Sequence, residues 1–250
     1  MVQVQRYSKP PITEAVISIL FKDPIGEGEL VGLQKVLSRP YAHSQPIRNF
    51  HVKFQVGGGP GPDINQQQET GSRLSSPDLT ELLVLFPKSF TVSQLPPYPG
   101  WDTVFTRFCR DWRILRRRVG FKAVARIGVR YINRVDIPVE GGIVAHEQYL
   151  NVFPHVTTEF GPMSAYNVQA QIYMDDLKAH LIINSASVPS PLLGYASFVI
   201  DQDIGRVTDV PQKDEDIFEL INAVRHRKNA VFESCVTEKA RGLFGNDERA

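Results

Sequence analysis

The chain has 250 residues, 42% of them hydrophobic and 22% charged, enough to bury a large core as one compact domain or two small ones. Its formal net charge of +1 supplies no overall field for nucleic acid or a membrane surface, so any such preference must come from local segregation of charge. Two cysteines, Cys109 and Cys235, make no disulfide framework; no signal-like apolar run follows the N-terminus, and no stretch approaches the roughly 20 apolar residues of a membrane span, so a cytoplasmic location without membrane attachment is expected.

In chain order, Ile12 to Phe21 alternates Ala15, Ile17, Ile19 and Phe21 against Glu14, Val16, Ser18 and Leu20, which predicts a strand after Pro10-Pro11. Leu30, Leu33, Val36 and Leu37 recur at helical spacing before Arg39-Pro40 and predict a short helix over 27–37. His51 to Val56 reads as a half-buried strand. Residues 57–77 are rich in Gly, Pro, Gln and Ser, with few apolar groups to offset the entropy of ordering, and predict a mobile hairpin loop. Strands follow at 82–86 and 89–94.

From Trp101 a long helix is predicted: Trp101, Val104, Phe105, Phe108, Trp112 and Leu115 form an aromatic stripe, and Arg107, Arg110, Arg113 and Arg117 a basic face. Val124 to Pro138 is a strand with Arg126, Arg130 and Arg134 on its polar side. A short helix is expected near 146–153, then strands at 166–174, 178–184 and 195–201. A closing helix starts at Asp214, its stripe running through Ile217, Leu220, Ile221, Val224, Val231 and Cys235.

Ser89-Phe90-Thr91-Val92-Ser93-Gln94 before one long helix echoes Ser197-Phe198-Val199-Ile200-Asp201-Gln202 before the other. The expected fold is therefore α+β: tandem duplicated strand-helix-three-strand-helix units, lobes 1–119 and 120–250, forming a mainly antiparallel sheet with two long helices packed on one face.

The polar strand faces would gather Arg126, Arg130, Arg134, Gln169, Gln171, Tyr173 and Lys53 into a candidate binding surface, suited to carboxylates, phosphates or a peptide edge. The alternatives are a solvated face with arginines paired across strands and, for the basic helix face, phosphate tracking or self-association with the acidic second lobe. The six histidines and two cysteines show no metal-site spacing, Asp201-Gln202-Asp203 reads as a strand end entering a turn, and neither a nucleophile elbow nor a phosphate loop occurs, so no cofactor, metal or catalytic residue is predicted.

Lys9 to Val16 (KPPITEAV), the helix at Trp101, Arg126 to Arg134 (RIGVRYINR) and Arg227 to Glu233 (RKNAVFE) together resemble a sporadically distributed family of bacterial proteins of about this length. The resemblance spans nearly the whole chain but carries no activity to transfer. Sporadic distribution implies, by analogy, a toxin-antitoxin or phage-defence accessory. The reading is a non-enzymatic binding protein that uses the arginine-bearing sheet face for a protein partner or self-association; the alternative is a nucleic-acid-associated defence component using the basic helix face.

Overall fold

The computed structural model describes residues 7–55, 63–142, 144–157, 159, 161 and 163–245, with the backbone alone for 49–55 and 63–68. In chain order its elements are β1 (Ile12–Phe21), α1 (Glu27–Leu37), β2 (His43–Gln55), β3 (Asp63–Ser75), β4 (Glu81–Phe86), β5 (Ser89–Gln94), α2 (Trp101–Val119), β6 (Val124–Pro138), a 3₁₀ turn (His146–Gln148), β7 (Asn167–Met174), β8 (Ala179–Val188), β9 (Tyr195–Arg206), α3 (Asp214–Cys235) and α4 (Glu238–Phe244). Among the described residues nine strands form one antiparallel sheet in the order β2-β3-β4-β5-β1-β6-β9-β8-β7. Among these residues no helix is long and apolar enough to cross a membrane.

The chain divides into two compact units. One comprises Met1–Ile17, Pro96–Tyr98 and Arg126–Ala250, the other Ser18–Leu95 and Pro99–Ala125. The first half of β1 thus groups with the C-terminal half of the chain, because Pro11 and Thr13 bond to β6: the Arg134 N–H donates to the Pro11 carbonyl at 2.8 Å and the Thr13 hydroxyl to the Ile132 carbonyl at 3.0 Å.

In the unit holding α2, the aromatic stripe forms the core. Trp112 and Phe108 are fully buried, Phe90 of β5 meets both edge-on at 5.8 and 5.9 Å, and Phe21 of β1 stacks on Trp112 at 6.2 Å. In the other unit, β6 buries Ile127, Val129, Tyr131, Val135 and Ile137, and β9 buries Phe198, Ile200 and Ile204; α3 adds Ile217, Ile221 and Val224 to the core.

Several sequence expectations are corrected. Residues 63–75, expected in a mobile loop, form β3, paired with β2 from His43 opposite Ser75 to Gln55 opposite Asp63; residues 57–62 lie outside the described residues. Composition misleads here because a ladder of backbone hydrogen bonds does not require apolar side chains along its length. The helix expected over 146–153 is a single 3₁₀ turn. Strand β9 continues to Arg206, so Asp201-Gln202-Asp203 lies within a strand and not at its end.

Truncating Trp112 to Ala should cost about 3–5 kcal/mol, as for other buried aromatic-to-alanine changes. Urea denaturation of the full chain measures it, and a loss under about 1 kcal/mol would mean that this ring is not central to the core.

Candidate functional site

The alternation of β6 sends Arg126, Arg130 and Arg134 to the face opposite the core, as expected. The register then builds rows across that face. Gly128 lies opposite Gly205, which lies opposite His180, which lies opposite Tyr173; Arg130 leads through Asp203 and Ile182 to Gln171. Asp201 and Asn184 lead to Gln169. Four strands therefore share one surface, with the arginines on β6 and the glutamines and tyrosine on β7.

The arginines are matched to aspartates. Arg130 makes a fork on Asp201, Nε and Nη2 each 2.7 Å from a carboxylate oxygen, and Asn184 donates to the same carboxylate at 3.2 Å. Nη2 of Arg126 reaches both oxygens of Asp203 at 2.7 and 2.8 Å. Arg134 bonds Asp136 at 3.0 Å, and Asp136 also accepts from the Ser197 hydroxyl at 2.5 Å. Such charge-assisted forks fix the planes of the guanidinium groups. Three cations opposed by three carboxylates leave this surface polar but locally neutral, with Arg126 and Arg130 paired across strands.

Gly128 and Gly205 form a floor for one of these pairs. A Cβ on Gly128 would stand 2.2 Å from Nη1 of Arg126, and one on Gly205 2.4 Å from its Nη2. Their absence lets the guanidinium lie flat across two strands on its way to Asp203.

At the β7 end, Gln171 Nε2 and His180 Nδ1 are 3.2 Å apart, and the Tyr173 ring lies 5.1 Å from that imidazole. Tyr173 is 50% exposed. Lys53 does not join this group: it sits on β2 opposite Asn65, at the other end of the strand order, and its side chain lies outside the described residues.

The expected basic helix face loses Arg107 to the interior, and Arg110, though exposed, is ion-paired to Asp111. Arg107 is buried, donating to the Ser93 carbonyl at 2.9 Å and to Gln94 Oε1 at 3.0 Å. Its neighbour on the same arc, Asp111, is also buried and accepts from Tyr41 at 2.6 Å and from Arg110 at 2.8 and 3.1 Å. The buried arc of α2 thus extends past the aromatic stripe onto a polar flank. Arg113 and Arg117 remain exposed.

A buried polar cluster in the unit holding α3 escaped the sequence reading. Lys228 is 5% exposed, with Nζ 3.7 Å from the Tyr131 ring centroid; the Tyr131 hydroxyl is 3.0 Å from that of Tyr98. Gln202, opposite Tyr131 in the sheet, donates to the Cys235 sulfur at 3.5 Å, and its Oε1 is buried with no hydrogen-bond partner among the described residues. Burial, helped by the Arg225 charge and opposed by Glu233, pulls the Lys228 amine down to about 7. Burial first, then Tyr98, pushes the Tyr131 phenol up. The available signal was angular: Lys228 lies seven residues from both Ile221 and Cys235 and four from Val224, in the middle of the apolar stripe.

A cavity of about 440 Å³ is lined by His146, Ser164, Tyr166, Ser187, Ser197 and Phe198, among others. Two of its hydroxyls are engaged structurally: Ser187 accepts from the Tyr166 N–H at 3.1 Å, and Ser197 donates to Asp136. Among the described residues no three His, Cys, Asp or Glu side chains converge as metal ligands. In comparison with known proteins, no family model matches the chain and no curated protein matches its sequence.

The glycine floor and the buried amine are each open to measurement. Gly128→Ala should destabilise the protein by about 1 kcal/mol, and that penalty should vanish in an Arg126→Ala background, where the clash is gone; a double-mutant cycle by urea denaturation reads it. Because Lys228 is held below its unfolded value, its burial penalty is full below about pH 7 and fades as pH rises toward the unfolded value near 10.5. Lys228→Met should therefore melt above the wild type at pH 6, with the gap narrowing between pH 7 and pH 10. Parallel melting curves over that range would contradict the assignment.

Proposed function

We propose that this protein is a binding module, built by duplication, that holds a protein partner on the outer face of β6, β9, β8 and β7. The observation that carries the reading is the union of Arg-Asp forks with an exposed Gln169, Gln171 and Tyr173 row on one registered surface. Ion-paired guanidinium groups lose little freedom when a partner arrives, and an exposed tyrosine beside ordered polar groups suits a protein interface. Local neutrality favours a peptide or protein surface over a polyanion, which would have to displace Asp201 and Asp203.

Support for duplication comes from the strand order. Read outward from the middle of the sheet, β1-β5-β4-β3 mirrors β6-β9-β8-β7: in each series the first strand is followed by the last and then by the two preceding it, with β2 added at one end. Helices α2 and α3 follow corresponding strands, β5 and β9. The family resemblance is consistent with an accessory role and names no partner.

The nucleic-acid reading retains Arg113, Arg117 and the neighbouring Arg118, all exposed. Three phosphate contacts would give a salt slope of about −3 in log affinity, far weaker than a dedicated nucleic-acid binder.

The test is affinity capture from the protein's own cells, followed by direct titration of the captured partner. Tyr173→Ala should weaken binding about 30-fold or more, the scale of an interface hot spot, while moving the melting temperature by no more than about 2 °C. Full retention of affinity, or recovery of nuclease-sensitive material alone with a steep salt slope, would contradict the proposal.

A further inference from the structure

The two ends of the sheet are guarded differently. Strand β2, at one end, carries Pro46, Arg48, His51 and Lys53, the residue types that discourage edge-to-edge pairing. Strand β7, at the other, reads Asn-Val-Gln-Ala-Gln-Ile-Tyr-Met, with neither a charge nor a proline along eight residues. Gln169, Ala170, Gln171, Ile172 and Tyr173 are all exposed, so both faces of this strand are open, and among the described residues its only strand neighbour is β8.

The direction of its free hydrogen bonds follows from the ladder. The Ser187 N–H donates to the Tyr166 carbonyl at 2.9 Å, and these two residues continue the register of β7 on β8. In an antiparallel pair, residues alternate between facing the neighbour and facing away. Tyr166 therefore sets Val168, Ala170 and Ile172 toward β8, and the backbone N–H and C=O groups of Asn167, Gln169, Gln171 and Tyr173 face outward.

We propose that β7 pairs antiparallel with β7 of a second copy of this chain, across a twofold axis at Ala170. This register places Gln169 opposite Gln171 of the other copy and Asn167 opposite Tyr173, so that all four outward-facing residues exchange backbone bonds. It also sets Val168 opposite Ile172 on the apolar side. Side chains stay on matching faces, as a twofold axis normal to the sheet requires. Shifting the axis to Gln171 leaves Asn167 without a partner inside the strand. An uncharged, self-complementary edge fits its own copy better than a charged partner strand, and the pairing would continue the polar face from one copy into the next. This inference concerns the edge and stands apart from the partner reading, which is tested by affinity and not by mass.

Sedimentation equilibrium of the full chain tests it. The wild type should approach a mass of about 56 kDa, twice the 28.1 kDa of one chain, and Gln171→Pro should return it to the single-chain mass. That proline removes an N–H facing away from β8, so the internal ladder remains. Independently, Gln169→Lys with Gln171→Lys, and Gln169→Glu with Gln171→Glu, should each give a single-chain species, and mixing the two should give a heterodimer. If Gln171→Pro does not fold, the mixing experiment decides alone. A wild type of single-chain mass at its highest soluble concentration overturns the proposal. So does a dimer that persists in all three variants, or charge variants that do not combine.

Discussion

The pairing of β6 with β9, from Ile127 opposite Arg206 to Pro138 opposite Tyr195, is the constraint on which most other features depend. On one face it brings Arg126 to Asp203 and Arg130 to Asp201. On the other it sets Tyr131 against Gln202 beneath α3. A slip of one residue would exchange these faces, burying the arginines and exposing the core. The register is thus held from both sides: by apolar burial of Val129, Tyr131, Ile200 and Ile204, and by carboxylates placed where the guanidinium groups can reach them. Gly128 and Gly205, opposite each other in this register, leave the space that the Arg126 guanidinium occupies.

The neutral face has a chemical consequence. A row of free arginines would attract any polyanion; arginines already forked to aspartate keep their position and offer polar edges at low desolvation cost to an incoming neutral group. What distinguishes the surface is order rather than charge. Its accessible part lies at β7, where Gln169, Gln171 and Tyr173 are exposed. The firm part of the surface and its accessible part are adjacent, joined through Asn184, Ile182 and His180 on β8.

Strict alternation made β1 and β6 readable from sequence, since each buries one face only, and it also assigned the arginines, Gln169, Gln171 and Tyr173 to a common polar side. Their aspartate partners were in view at Asp201 and Asp203 but were assigned to a strand end, because Ile204-Gly205 resembles a turn; the glycine instead makes room for Arg126. Strand β3 was hidden because its pairing with β2 relies on backbone groups, to which composition is blind. Arg107 was assigned to the wet side, and the burial of Asp111 and Lys228 was not foreseen, for one shared reason. Each is a charged residue lying within or beside a buried helical arc, and hydrophobic periodicity treats any charge as a mark of the wet side. Carbonyl oxygens near the end of β5, the Tyr41 hydroxyl and the Tyr131 ring, none of them close in sequence, are what allow those charges inside.

The most direct measurement exchanges the charges of one fork. If pairing between Arg130 and Asp201 organises the β6 and β9 face, Arg130→Asp alone and Asp201→Arg alone should each lower the melting temperature by placing like charges together. The double exchange should recover most of the loss, because the pair is re-formed in the same register. A double variant no more stable than the worse single variant would show that the β6 and β9 face is not organised by this pairing.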